Sequence, residues 1–299
     1  MNKTQQKRFD SLYRKHVNAL RRQGKADATI DGYARAVRRL AEFYDCPVDT
    51  LSLDQIEGYF DSLVQTHSWS TVKVDRNGLQ FFFKHVLKRD WQWVDIVKPP
   101  QVKTLPDVPT LREVERLING TRELRYQTFI LTCFSMGLRL GEALALTVGD
   151  IDSERMRVHI RAAKGRKDRY VTLPLETLTA LRRYWATHRH PRFIFPGGRN
   201  SEERHSADRT MDRGDLQKSF KAIVRDVGIH KSITIHSLRH SYGLALTDAG
   251  VTLRAVQEAM GHECPKTTAL YTQLSSFTQT DTERRINALI KRLNLKWGE

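Results

Sequence analysis

Cysteine is scarce in this chain. Cys46, Cys133 and Cys264 are the three in 299 residues. They are scattered, odd in number and without a C-x-x-C pair, which argues against a disulfide framework and against a zinc ribbon. Long apolar runs are missing as well: the longest, near Phe129 to Leu138, is interrupted and too short to span a bilayer. The opening stretch MNKTQQKRFDSLYRKH lacks the apolar core of a secretion signal. These absences point to a reducing, cytoplasmic setting and to no membrane partner. Acidic residues are in deficit, with 34 Asp and Glu against 50 Lys and Arg, a formal net charge of +16. The surplus is spread through the chain rather than gathered in a tail. A broad polyanion-binding surface is therefore expected, with nucleic acid ahead of membrane.

Proline is concentrated. Four of the nine lie in VKPPQVKTLPDVPT, Val97 to Thr110, which has no periodic apolar pattern and reads as a linker over 97–109. The chain then divides into an N-terminal domain, 1–96, and a second domain, 110–299. In the first, Phe9, Leu12, Tyr13, Val17 and Leu20 fall at helical spacing. Asp27 is read as the cap of a second helix that carries Ile30, Tyr33, Val37, Leu40 and Tyr44, with Pro47 beyond its end. Ser52 and Gln55 form a capping box for a third helix, and Ser70 is read as the start of a fourth with Leu79, Phe82 and Phe83. Four helices without strands make a small helical domain. Between its apolar positions stand Lys3, Lys7, Arg8, Arg35, Arg38 and Arg39 among other cations, read as phosphate contacts on a basic face.

The second domain opens on another capping box, Thr110 to Glu113. Two helices, a turn at Arg139, a short helix, strands within 156–173 and a helix at 175–188 follow. Residues 197–213 are charged and unpatterned and read as a loop. A helix burying Phe220, Ile223 and Val224 stops at Gly228. The expected fold is mostly α with a small β-sheet.

The most informative stretch is TIHSLRHSYGLALTDAGVTLRAVQEAMGHECPKTTALY, Thr234 to Tyr271. His236, Arg239 and His240 stand at i, i+3 and i+4, so one helix face carries two imidazoles and a guanidinium, a cradle for an anion. Gly250 ends that helix, Thr252 caps the next, and Gly261 ends it just before His262. Tyr271 follows on a segment opened by Pro265. The order suggests a phosphate held for attack by a phenol. Upstream, Arg139 follows a helix stop at Gly137, and an arginine among apolar neighbours needs a carboxylate or a phosphate. Lys164 heads the turn in MRVHIRAAKGRKDRYVTL, where mobility suits a proton donor.

In these residues the chain resembles the tyrosine recombinase (integrase) family, within it the Xer-like and integron-like bacterial branches. The matching boxes are GLRLGE around Arg139, AAKGRKDRYVTLP around Lys164, HSLRHS with His236 and Arg239, MGH ending at His262, and TTALYTQLS with Tyr271. All five occur in the family's order, and the resemblance covers roughly residues 1–275. It implies a four-helix, SAM-like core-binding domain joined to an α+β catalytic domain, closed around double-stranded DNA. It also implies a metal- and ATP-independent enzyme acting as a tetramer on synapsed sites, mostly monomeric when free. No leading arm-binding domain is expected, because the first helix starts within a few residues of Met1.

The chemistry follows from what the reaction needs. Charge building on the non-bridging oxygens of a phosphodiester calls for fixed cations, and Arg139 and Arg239 offer forked donors with constant charge. Tyr271 is the nucleophile, leaving a 3′-phosphotyrosyl link that stores the bond energy. Lys164 is the acid for the departing 5′-oxygen, with Lys167 as the alternative; His236 is the candidate base, and His262 hydrogen-bonds the phosphate. Glu142 is read as orienting the site or as a capping carboxylate, and His240 as a structural histidine. The His236 and His240 pair lacks the glutamate of H-E-x-x-H and a third ligand, so neither metal nor cofactor is expected. A type IB topoisomerase and a catalytically silent DNA-binding regulator are the alternative functions. Past Tyr271, Ile286, Leu289, Ile290 and Leu293 form an apolar stripe on a charged terminal helix, suited to docking on its own domain or on a neighbouring protomer.

Overall fold

The computed structural model of the chain describes residues 1–89, 106–161, 168–262 and 265–275. It divides into two compact units, Met1–Thr104 and Leu105–Glu299. Most of the linker stretch 97–109, the Lys164 turn and the stripe at 286–293 lie outside the described residues.

The first unit holds four helices, α1 (Lys3–Arg22), α2 (Asp27–Tyr44), α3 (Leu53–Thr66) and α4 (Trp69–Phe82), the last continued by one wide turn, Phe83–Leu87. The Ser52 and Gln55 box caps α3 as expected, and Asn2 with Gln5 builds an equivalent box on α1. Two boundaries differ from the sequence reading. Ala26 occupies the cap of α2 without a side-chain bond, and Asp27 is the first helical residue, where its charge complements the helix N-terminus. Ser68 rather than Ser70 caps α4, accepting from the Thr71 N–H. Val37, Leu40, Ile56, Phe60, Leu79 and Phe82 are fully buried and form the core.

One cation assigned to the basic face has an internal role instead. Asp75, 2% exposed, accepts from Arg39 Nη1 at 2.7 Å and from the Tyr59 hydroxyl at 2.6 Å. A carboxylate buried on α4 needs both partners, because desolvation without them would cost several kcal/mol, on the order of 3–5. Arg8 pairs with Asp49 while its side chain stays 61% exposed, and Lys3, Lys7 and Arg38 are exposed as well.

The second unit is built around α6 (Leu124–Ser135), on which α5 (Leu111–Gly120), α8 (Leu175–Ala186) and α11 (Ile235–Asp248) pack. Between α6 and α8 in sequence run the short α7 (Leu140–Leu144) and an antiparallel sheet of β1 (Ile151–Asp152), β2 (Arg157–Ile160) and β3 (Arg169–Thr172), in the order β1-β2-β3. The register pairs Val158 with Val171 and His159 with Tyr170. Alternation then sends Val158, Ile160 and Val171 into the core, while His159 and Tyr170 stack on the other face with Arg157 over the Tyr170 ring. The 197–213 stretch is not wholly irregular: Asn200 caps a short helix, α9 (Ser201–His205). After α10 (Arg213–Asp226) the chain reaches α11, and α12 (Leu253–Met260) and α13 (Pro265–Leu274) pack on α11 and on each other. Val256, Met260 and Tyr271 form a small apolar cluster there, separate from the main core.

Candidate active site

Arg139 sits at the N-terminal cap of α7, just past the Gly137 stop. Glu142, one turn on, accepts from its backbone N–H at 2.9 Å and from its Nη1 at 2.7 Å. The turn therefore points the guanidinium and braces it at the same time. Arg169, at the start of β3, donates to both oxygens of the same carboxylate at 3.0 and 2.7 Å. Burial alone would raise the Glu142 carboxyl, but the Arg169 fork, the Arg139 N–H and both guanidinium charges outweigh it and bring it to about 2. Glu142 is ionised at any physiological pH.

Arg239 on α11 is 1% exposed. Its Nη1 donates to the Gly137 carbonyl and its Nη2 to the Met260 carbonyl. It thus joins the two helix ends from which Arg139 and His262 project. Burial, reinforced by the charge of Arg139, lowers its pKa to about 10, so it remains charged at pH 7. Two arginines gathered around one carboxylate with a third close by leave a surplus of positive charge, an arrangement stabilised by an anion.

Tyr271 on α13 is wholly buried. Its hydroxyl lies 3.1 Å from His240 Nδ1, placed for the phenol to donate, and its ring stacks on His262. Burial raises the phenol to about 12, against the opposing pull of Arg239. Its ring also lies on Gly243 of α11, where a Cβ would stand 2.6 Å from Cε2 and 2.7 Å from Cζ. Only a residue without a side chain leaves room for it. His262 follows Gly261, whose φ of 60° ends α12, and its Nδ1 meets Thr268 Oγ1 at 2.9 Å. His236 stands on the first turn of α11, exposed to a cleft lined also by Arg139, Glu142, Arg161, Arg213 and Lys221. Burial and the charges of Arg239 and Arg139 lower the pKa of His236; the same kinds of cause bring His262 to about 4, and burial with His236 and Arg239 brings His240 to about 4. All three rings are neutral at pH 7.

Five of the six residues singled out from the sequence thus converge on one region, Arg139, His236, Arg239, His262 and Tyr271. The sixth, Lys164, lies outside the described residues. Two others belong to the region although the sequence reading gave them no chemical part. His240 touches the phenol directly, and its i+4 spacing from His236 already placed it on the same face. Arg169 was visible only as one cation in a basic strand. Among the described residues, no group of three or more His, Cys, Asp or Glu side chains is placed to hold a metal ion, and no helix is long and apolar enough to cross a membrane.

The profile of the phage integrase family matches residues 108–276, and that of the phage integrase N-terminal SAM-like domain matches residues 12–93. An integrase/recombinase of Escherichia coli is 30% identical over 290 residues, covering 82% of this chain and 84% of that protein. Tyrosine recombinase XerD of Listeria innocua is 29% identical over 285 residues, covering 89% and 94%. Among solved structures, a lambda integrase dimer bound to a COC′ core site shares the fold with a TM-score of 0.69 at 14% identity, covering 88% of this chain and 94% of that one. With two family domains matched in tandem and relatives aligned over 82% and 89% of its length, the chain belongs to the phage integrase family and is a tyrosine recombinase.

Proposed function

We propose that the protein exchanges strands between two specific double-stranded DNA sites, with Tyr271 as the nucleophile and Arg139 and Arg239 as the cations that hold the scissile phosphate. The observation that carries this is the placement of the Tyr271 phenol on a histidine pair beside a cluster of arginines in cationic surplus. The phenol gives up its proton and its oxygen bonds to phosphorus. The bond to the 5′-oxygen breaks, and that oxygen takes a proton from Lys164. The products are a 3′-phosphotyrosyl link and a 5′-hydroxyl, and attack by the 5′-hydroxyl of the other site reverses the same steps. The bond energy is conserved throughout, so the exchange needs no ATP.

A phosphate in a DNA duplex cannot reach a phenol that is wholly buried. Tyr271 therefore leaves its seat on Gly243 when DNA binds, moving toward Arg139 and the cleft. Neutral His236 at the mouth of that cleft is the candidate base, and His262 donates to a non-bridging oxygen. The exposed cations of the first unit, Lys3, Lys7 and Arg38 among them, supply sequence-independent phosphate contacts. Assembly into a tetramer on paired sites, from a free monomer in the cytoplasm, is part of this reading and rests on the apolar stripe 286–293 as a link between protomers.

A plasmid carrying two target sites tests the proposal. Recombinant products are expected in EDTA and without nucleotide. Relaxation of supercoils by single protein molecules, with no exchange between sites, would favour topoisomerase chemistry instead.

A further inference from the structure

Arg169 lies in the AAKGRKDRYVTLP segment, and no step of the strand-exchange chemistry uses it. Its fork is wholly committed: Nη1 and Nη2 donate to the two oxygens of Glu142, which also hold the backbone and guanidinium of Arg139. Its shaft lies against Gly261, where a Cβ would stand 2.6 Å from Cδ and 2.8 Å from Nε. The side chain is 12% exposed, and Nε is buried without a partner among the described residues. Its seat is therefore set by the fork on one side and by the bare backbone of Gly261 on the other. One side chain touches three chain segments: β3, the Arg139 turn and the end of α12 that leads into His262.

We propose that Arg169 is a positioning residue for strand cleavage, holding Glu142 so that Arg139 and the end of α12 that leads into His262 keep one mutual geometry. No contact with the phosphate is assigned to it: both Nη groups face Glu142 and Nε is buried against Gly261. A planar fork matches both oxygens of Glu142, whereas the point charge of a lysine meets one. A loss of register of about 1 Å at a reacting centre costs about 100-fold in rate. The proposal rests on the reading of Arg139 as the phosphate-binding arginine.

The test uses the full chain with Arg169→Lys and, beside it, Arg169→Gln. Melting temperature, half-site affinity and the rate of covalent capture on a nicked substrate are measured for each. Arg169→Lys, which keeps the charge but offers one bond where the fork makes two, is expected to retain affinity and to melt between wild type and Arg169→Gln, but to cleave about 10- to 100-fold more slowly. In a Glu142→Gln background the same substitution should add little, because the shared acceptor has lost its charge. A scissile methylphosphonate, with one charge fewer for Arg139 to neutralise, should narrow the deficit. Wild-type cleavage by Arg169→Lys, a loss fully additive with Glu142→Gln, or loss of affinity and melting temperature in step for both variants would overturn the proposal. Arg139→Lys, run alongside, separates the two readings. If it too cleaves at the wild-type rate, the phosphate site itself is wrongly placed; if it is slow while Arg169→Lys is normal, only the role of Arg169 fails.

Discussion

Replacing Glu142 by Gln removes one charge and keeps the shape. In the folded chain the carboxyl is 8% exposed and is brought from its usual 4.5 to about 2 by the Arg169 fork and the Arg139 contacts, which outweigh burial. A fall of that size corresponds to roughly 3 kcal/mol of stability at neutral pH. The loss expected on breaking a buried ion pair from one side, about 3–5 kcal/mol, is of the same order, because two guanidinium groups are left facing an amide. The sign follows from the direction of the shift. A carboxyl with a depressed folded pKa stabilises the fold above its unfolded pKa, and this stabilisation fades as pH falls from about 5 toward 2. Glu142→Gln should therefore unfold about 3 kcal/mol more easily at pH 7, a midpoint lower by ~1 M urea if the slope is ~3 kcal/mol/M. The gap to wild type should close on acidification. Urea titrations at pH 7, 5 and 3, following the second unit, measure it. A gap that is absent at pH 7, or that stays constant down to pH 3, would refute the claim that Glu142 is the charged hub of the site.

Three further outcomes follow from other parts of the molecule. Lys164→Ala should slow cleavage by ~10²- to 10⁴-fold, and a substrate with sulfur in place of the bridging 5′-oxygen, which needs no proton, should restore it; failure to restore moves the acid to Lys167. Gly243→Ala sets a methyl 2.6 Å from the Tyr271 ring in its buried seat, so the DNA-free protein should melt lower while capture, for which the ring has left that seat, is not slowed; a variant ~1 kcal/mol more stable, as helix propensity alone predicts, would show that the ring does not rest there. A stop codon after Thr280 should leave single half-site binding intact, weaken cooperative occupancy of paired half-sites and abolish exchange, as gel shifts and a recombination assay would show; equal loss on one half-site would mean that the tail packs on its own domain.

What the sequence made legible was local. Caps at Ser52 and Thr110, stops at Gly137 and Gly261, and the i, i+3, i+4 grouping of His236, Arg239 and His240 are short-range patterns with a direct physical cause. Helix α9 is not legible in the sequence because five charged and polar residues carry no apolar stripe, although Asn200 with Glu203 is a cap signal. The two-residue strand β1 is too short to show alternation. The partners of Arg39 and Arg169 were beyond reach for another reason: Asp75 lies 36 residues from the first and Glu142 27 from the second. Charge counts cannot tell a cation that faces solvent from one that neutralises a distant buried carboxylate. The same holds for His240, whose contact with Tyr271 spans 31 residues.

Tyr271 is the residue proposed to make the covalent bond to DNA. A duplex nicked next to the cleavage point, so that the short 5′-hydroxyl strand diffuses away, should trap wild-type protein as an adduct on a denaturing gel. Digestion and peptide mapping should place the nucleotide on Tyr271. Tyr271→Phe removes only the hydroxyl and keeps the ring on Gly243, so it should bind the same DNA with unchanged affinity and form no adduct. An adduct that persists in the Phe variant, or that maps to Tyr242, would place the nucleophile elsewhere.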